Sequence, residues 1–276
     1  MKFTKRRAYR GKVRLVVLDW AGTTVDYGSQ APVVAFVDVF RRRGVLLSLE
    51  QARQPMGLDK RQHIQAICQQ AQVVELWRQV HGRPPTEADI ETLYTDFQLT
   101  LIERLADFAD LIPGTLETIA ALRRQGIAIG STTGYFSQAM ELLKGEAAQR
   151  GFTADCIVCA DQVRAGRPEP WMVLQNMINL GIYPPAAVVK IDDTVPGIEE
   201  GLNAGVWTIG VAQTGNEMGL SLEAIKALPA SKLEQMLGRA RRKLARAGAH
   251  FVVDSIAEVP EVIAGINRRL AQGEKP

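Results

Sequence analysis

Six short β-rich runs, at 13 to 19, 127 to 132, 155 to 160, 187 to 192, 207 to 212 and 250 to 254, punctuate the chain, and amphipathic helical patterns separate most of them. That rhythm predicts an α/β fold, a doubly wound parallel sheet with its ligand site beyond the carboxyl ends of the strands.

One interval breaks the rhythm. Between the first and second runs lie about a hundred residues without a convincing strand, most of them helical in pattern: "APVVAFVDVFRRRG", "KRQHIQAICQQAQVVELWRQVHG" and "TEADIETLYTDFQLTLIERLADFA". Ser48 with Gln51, and Thr86 with Asp89, have the spacing of helix-starting capping boxes. A helical insertion after the first strand would sit above the strand ends. The spacing therefore predicts an α-helical cap over 27–105, with residues 1–26 and 106–276 forming the α/β core, restarted by "LIPGTLETIAALRRQG".

Composition allows this arrangement: 276 residues, 46% apolar and 23% charged, are enough to bury a normal core. No apolar run reaches the roughly 18 residues of a membrane span, and the basic start "MKFTKRRAYRGK" leads straight into a strand, so a cytoplasmic address is expected. Cys156 and Cys159 have CxxC spacing but lie in the apolar run "DCIVCA", and with Cys68 they read as buried thiols. The basic N-terminus and "GRARRKLARAG" at 238–248 lack interleaved aromatics, so neither predicts nucleic-acid binding.

The chemistry concentrates at strand ends. "VVLDWAGTTVD" ends its apolar run in Asp19, and "AVVKIDD" ends in Asp192 and Asp193. Any one such Asp more often caps a turn. Carboxylates from two strand ends would nonetheless converge and repel unless a cation neutralised them, and oxygen ligands in an α/β cleft suggest Mg²⁺. "GSTTGY" at 130–135 offers hydroxyls and backbone N–H groups for an anion, and "AGRPEPW" places Arg167 in a proline-stiffened loop.

The order "DWAGT", "STT", "GRPEP", "DDTVPGIEEGLNAG" resembles the four signature motifs of the haloacid dehalogenase superfamily of phosphoryl-transfer enzymes. The resemblance implies Asp19 as the nucleophile that becomes an aspartyl phosphate. It implies Ser131, Thr132 or Thr133, together with Arg167, as holders of the phosphoryl oxygens. For Mg²⁺ it implies Asp19, the backbone carbonyl of Ala21, Asp192 and Asp193, with Asp193 the surer of the acidic pair. Ala21 is the departure. Phosphatases and phosphomutases of the superfamily usually carry a second Asp there as general acid and base, and a methyl group cannot move a proton.

A second resemblance accounts for the departure. "PMGLDKRQHI" at 55–64, with "DWAGTTVDYGS", "GSTTGYF" and "AGRPEPWM", is similar to the phosphonoacetaldehyde hydrolase family over essentially the whole length. It implies Mg²⁺-dependent cleavage of the carbon–phosphorus bond to acetaldehyde and phosphate, with Lys60 forming a Schiff base with the substrate aldehyde. An iminium can absorb the bonding electrons that an acid at position 21 could not rescue. The Lys60 amine must then titrate well below its usual value of about 10.4, towards 7 to 8, which burial under a cap would supply. His63, three residues on, would share a helix face and could shuttle protons. Met56 and Tyr135 would contact substrate, Trp20 could shape the pocket, and Asp59 would add charge at a helix start. The family also implies a homodimer through the cap, with 31–40, "APVVAFVDVF", as a candidate surface. Two other readings stay open: a Mg²⁺-dependent phosphatase or phosphomutase, against which Ala21 argues, and a catalytically inactive binding module, against which the retained Asp19, Lys60, Arg167 and Asp193 argue.

Overall fold

The computed structural model describes residues 8–276, so the first seven residues of the basic N-terminal run lie outside the described residues. Six strands, β1 (Leu15–Leu18), β2 (Ala128–Thr133), β3 (Cys156–Cys159), β4 (Val188–Asp192), β5 (Trp207–Val211) and β6 (Phe251–Val253), form one sheet in the order β3-β2-β1-β4-β5-β6. Every pairing is parallel.

All four residues of β1 are fully buried because both sheet faces are covered. Val16 and Leu18 enter the largest apolar cluster, whereas Leu15 and Val17 face Val173, Met177 and Ile182 on the other side. Burial on both faces is why these strands read as unbroken aliphatic runs, with no polar alternation. The chain leaves β1 for β2 and β3 on one flank, then returns to β4 on the other. The carboxyl end of β1 is thus the point where the strand order reverses, where an α/β sheet opens a crevice. Leu18 is level with Ser131 of β2 and Ile191 of β4, so Asp19 emerges between the two motifs at the carboxyl ends of those strands.

The interval between β1 and β2 carries α1 (Ala31–Arg42), α2 (Leu49–Arg53), α3 (Lys60–Gln69), α4 (Ala71–His81) and α5 (Glu87–Arg104), with α6 (Thr115–Arg124) leading into β2. Both expected capping boxes form, at Ser48–Gln51 and Thr86–Asp89. The pattern from 60 to 82 reads as one helix but folds as two. Gln70 adopts an extended backbone, ψ 127°, while its side-chain Nε2 donates 2.9 Å to the carbonyl of Gln51, so a contact outside the helix makes the break. The apolar side of α1 packs onto α5, with Phe36 stacked on Phe97 at 4.3 Å between ring centres. This corrects the expectation of a free contact surface over 31–40: Phe36, Val39 and Phe40 are spent inside the chain.

The remaining helices are α7 (Ser137–Gln149), α8 (Trp171–Asn179), α9 (Val195–Asn203), α10 (Leu222–Ala227), α11 (Ala230–Arg246) and α12 (Val259–Gln272). The basic stretch at 238–248 lies largely on α11, where Arg241 pairs with Asp254 and Glu234, and Lys243 with Glu217. Among the described residues no helix is long and apolar enough to cross a membrane.

Candidate active site

The core contributes a buried polar cluster. The Asp19 amide still bonds the Ile191 carbonyl at 3.0 Å, so β4 fixes the backbone from which the carboxylate projects. Arg167, 2% exposed, donates to Asp19 Oδ1 at 2.6 Å, lies 3.3 Å from Asp192 Oδ2 and donates through Nε to Glu200 Oε2 at 3.0 Å. Lys190, rising from the middle of β4, lies 2.9 Å from Asp192 Oδ2 and 3.3 Å from Glu200 Oε2. Burial pushes the Asp19 carboxyl up while Arg167 draws it back. Burial raises Asp192 as well, but there Arg167 and Lys190 prevail and hold it below the usual carboxylate range.

Among the described residues Asp193 has no such ion-paired cation. Its oxygens accept from Thr23 Oγ1 at 3.0 Å and from the Asn216 amide at 2.7 Å, and burial, with Asp19 and Asp192 nearby, drives its carboxyl well above the usual range. Backbone closes tightly on this acid: Gly22 sits at φ +87°, and a Cβ there would fall 2.4 Å from Asp193 Oδ2. Asp19, Asp192 and Asp193 offer oxygens within 4.8 Å of one another. Four buried carboxylates, counting Glu200, have two ion-paired cations among the described residues, Arg167 and Lys190, and a charge left uncompensated in a dry interior is costly. An all-oxygen set with surplus negative charge fits a hard divalent cation such as Mg²⁺. Asp193, held by the neutral donors of Thr23 and Asn216, carries the least compensated charge of the three, since Asp19 is paired with Arg167 and Asp192 is engaged by Lys190 and Thr194.

The three hydroxyls at the carboxyl end of β2 separate. Ser131 Oγ accepts from Trp20 Nε1 at 3.0 Å, and Thr132 Oγ1 accepts from Arg167 and Lys190 while donating to Glu200, so both are occupied in the interior. Thr133 lines the cavity with Asp19, Ala21 and Arg167.

The opposite wall comes from the helical segment. Met56, Gly57 and Lys60 line the same cavity, with Tyr135 beside them. Lys60 opens α3, where Asp59 caps the helix by accepting from the Gln62 amide at 3.0 Å. Lys60 makes no ion pair among the described residues. Its Nζ lies 5.0 Å from the centre of the Tyr135 ring and 6.0 Å from that of Phe36. Burial, with a smaller push from Arg167 and against the pull of Asp19, lowers its pKa to about 8. The Tyr135 hydroxyl is buried without a hydrogen-bond partner among the described residues, and burial drives its pKa well above the ordinary value.

His63 is buried on the same helix but outside the cavity lining. Its Nε2 lies 2.8 Å from the Ala52 carbonyl and its ring rests against Phe36. Burial, then Lys60, pushes its pKa well below the ordinary value, so the ring is neutral: Nε2 donates, and buried Nδ1 has no partner among the described residues. Sequence reasoning missed Ser29, Pro32 and Thr194 in the lining, and the supporting pair Lys190 and Glu200. A lysine inside an aliphatic strand was a visible signal, because such a residue is buried only when paired. Ser29 left none: its φ of +51° is a tertiary outcome.

The family model for haloacid dehalogenase-like hydrolases matches residues 13–205. A curated protein of Syntrophobacter fumaroxidans named phosphonoacetaldehyde hydrolase-like protein is 49% identical over 274 residues, 99% of each chain. A Salmonella agona protein named phosphonoacetaldehyde hydrolase is 49% identical over 267 residues, 96% of this chain and 99% of its own. A solved phosphonoacetaldehyde hydrolase-like protein from Oleispira antarctica superposes with a TM-score of 0.98 at 39% identity, covering 100% of both chains. A predicted phosphoglycolate phosphatase from Haemophilus somnus, 14% identical with a TM-score of 0.66 and covering 90% of this chain and 97% of its own, is similar in fold alone. The chain therefore belongs to the haloacid dehalogenase-like hydrolases and, within them, to the phosphonoacetaldehyde hydrolase family.

Proposed function

We propose that this enzyme hydrolyses phosphonoacetaldehyde to acetaldehyde and phosphate, a step of phosphonate degradation, through a Schiff base on Lys60 and an aspartyl phosphate on Asp19. The observation that carries the reading is a buried, unpaired lysine with a pKa near 8, sharing one cavity with the ion-paired Asp19 and with the methyl of Ala21.

The neutral Lys60 amine adds to the aldehyde and loses water, giving a protonated imine. Asp19 attacks phosphorus opposite the departing carbon. The carbon–phosphorus bonding pair moves into the iminium as an enamine, so no acid is needed at position 21. Arg167 and Thr133 hold the phosphoryl oxygens, and Arg167 keeps the Asp19 carboxylate aimed. Asp19 and Asp193, with Asp192 behind them and the Ala21 carbonyl alongside, would hold Mg²⁺. The ion would supply positive charge for the phosphoryl group and permit three acids to stay ionised together. Water then hydrolyses the aspartyl phosphate, the enamine takes a proton, and water frees acetaldehyde from Lys60.

In this reading residues 27–105 are a cap that carries Lys60 and Met56 onto the core, and the surrounding helical segment keeps the lysine dry. A homodimer through the cap belongs to the same proposal and requires a face other than the apolar side of α1. The test is turnover with Mg²⁺. Equal amounts of acetaldehyde and phosphate from phosphonoacetaldehyde are expected. Phosphate release from sugar phosphates with none from phosphonoacetaldehyde would replace the reading with the phosphatase alternative.

A further inference from the structure

The cavity of Asp19 and Lys60 lies between the helical segment, which supplies Met56, Gly57 and Lys60, and the core, which supplies Asp19, Thr133 and Arg167, so the contacts that hold the two together govern the chemistry.

One side chain bridges both sides of that divide and both halves of the site. Arg53 is the last residue of α2, three residues before Met56. Its Nη1 donates to the carbonyls of Gly28 at 2.8 Å and Ser29 at 3.2 Å and to Asn216 Oδ1 at 3.2 Å, and its Nη2 donates to the Gly219 carbonyl at 3.1 Å. Gly28 and Ser29 belong to the connection between β1 and α1, whereas Asn216 and Gly219 lie in the core loop after β5. Gly219 makes room for the guanidinium: at φ +62° it lacks the Cβ that would fall 2.8 Å from Arg53 Nε.

Each end of this bridge reaches the cavity. Ser29 lines it, held in the left-handed conformation with its amide donating 2.8 Å to the Asp26 carbonyl. Asn216 donates its amide to Asp193 Oδ2 at 2.7 Å, so the loop that Arg53 grips is the loop that orients the uncompensated acid. The acceptors are neutral oxygens, and among the described residues Arg53 makes no ion pair. A guanidinium held by carbonyls can exchange those bonds for water when the cap lifts, whereas separating a buried ion pair would strand a charge.

We infer that Arg53 is a positioning residue that couples the descent of the Lys60-bearing segment to the fixing of Asp193, so that the amine side and the metal side of the site form together. Its part in turnover rests on the reaction proposed above, but the coupling itself does not. Coupling is reciprocal: a closed cap tightens Mg²⁺ binding, and Mg²⁺ favours the closed cap.

The test compares the full-length enzyme with Arg53→Lys, which preserves charge but cannot span four acceptors, and with Asn216→Ala, which removes one acceptor. Calorimetric titration with Mg²⁺ alone and hydrogen exchange at the amides of Ser29 and Asn216 read the coupling without substrate. Both variants are expected to bind Mg²⁺ about five- to tenfold more weakly, with faster exchange at both amides, and the double variant to lose less than the product of the two. Mg²⁺ affinity and exchange within twofold of the parent, whatever the melting temperature does, would overturn the inference. Should the parent enzyme fail to cleave phosphonoacetaldehyde while these shifts appear, the reaction falls and the coupling stands.

Discussion

The core and the helical segment hold their buried cations in opposite ways. In the core, Arg167 and Lys190 are locked among Asp19, Asp192 and Glu200, and Thr132 ties both to the same network. In the helical segment Lys60 faces aromatic rings and Arg53 faces carbonyls, with no carboxylate in ion-pair reach of either among the described residues. The difference divides the chemistry. Paired charges stay ionised and suit a phosphoryl group whose charge never disappears. An unpaired lysine is easily deprotonated, which an amine nucleophile needs. Ala21 belongs with this division in the proposed reaction, where the Lys60 amine takes over the task that an acid at position 21 would serve.

Breaking the core side is expected to have the largest effect. Asp19→Asn removes the proposed nucleophile and should lower turnover by about 10⁴-fold or more, measured as phosphate release, while condensation of Lys60 with the aldehyde is expected to persist. Breaking the other side, Lys60→Arg keeps charge and length without a usable amine; turnover should fall by about 10³-fold or more, with the melting temperature little changed. Equal loss of aldehyde condensation in both variants would deny the division of labour.

Lys190→Met should act on stability more than on chemistry. It leaves Arg167 as the one ion-paired cation for Asp192 and Glu200 among the described residues, and removing one partner of a buried ion pair costs about 3–5 kcal/mol, visible as a lower denaturant midpoint; an unchanged midpoint would mean the core charges are not interdependent. The pH dependence sharpens the contrast further. Folding lowers the Lys60 pKa from 10.5 to about 8, so the folded protein binds fewer protons there than the unfolded chain between those values. Its contribution to stability therefore rises with pH across that window. Condensation with aldehyde should rise with a midpoint near pH 8 and fall tenfold per unit below it, and a midpoint near 10 would mean the lysine is solvated. Smallest is Ser48→Ala, which removes the capping box of α2 and should cost about 1 kcal/mol in thermal unfolding, with turnover nearly unchanged.

Much of this architecture was legible because its causes are local. Parallel strands buried on both faces announce themselves as aliphatic runs, and Ser48 and Thr86 cap their helices through residues three positions away. The strand-end position of Asp19, Asp192 and Asp193 followed from the same pattern. What stayed hidden depends on distant contacts. Gln70 breaks a helix without glycine or proline because Gln51 holds its side chain. Ser131, Thr132 and Thr133 are chemically alike, and only Trp20, Arg167 and Lys190 decide that Thr133 faces the cavity. His63 shares the Lys60 helix as its spacing implied, yet the Ala52 carbonyl takes its Nε2. Lys60 itself, in isolation, is an ordinary lysine at a helix start, and its meaning came from the "MGLDK" segment and was sharpened by its burial.

The account turns on a covalent bond between substrate and Lys60. Borohydride added to the enzyme with phosphonoacetaldehyde, followed by peptide mapping by mass, tests it directly. The expected result is a reduced two-carbon adduct on Lys60, present in Asp19→Asn with its phosphonate still attached and absent from Lys60→Arg. Turnover that survives borohydride with Lys60 unmodified would contradict the account.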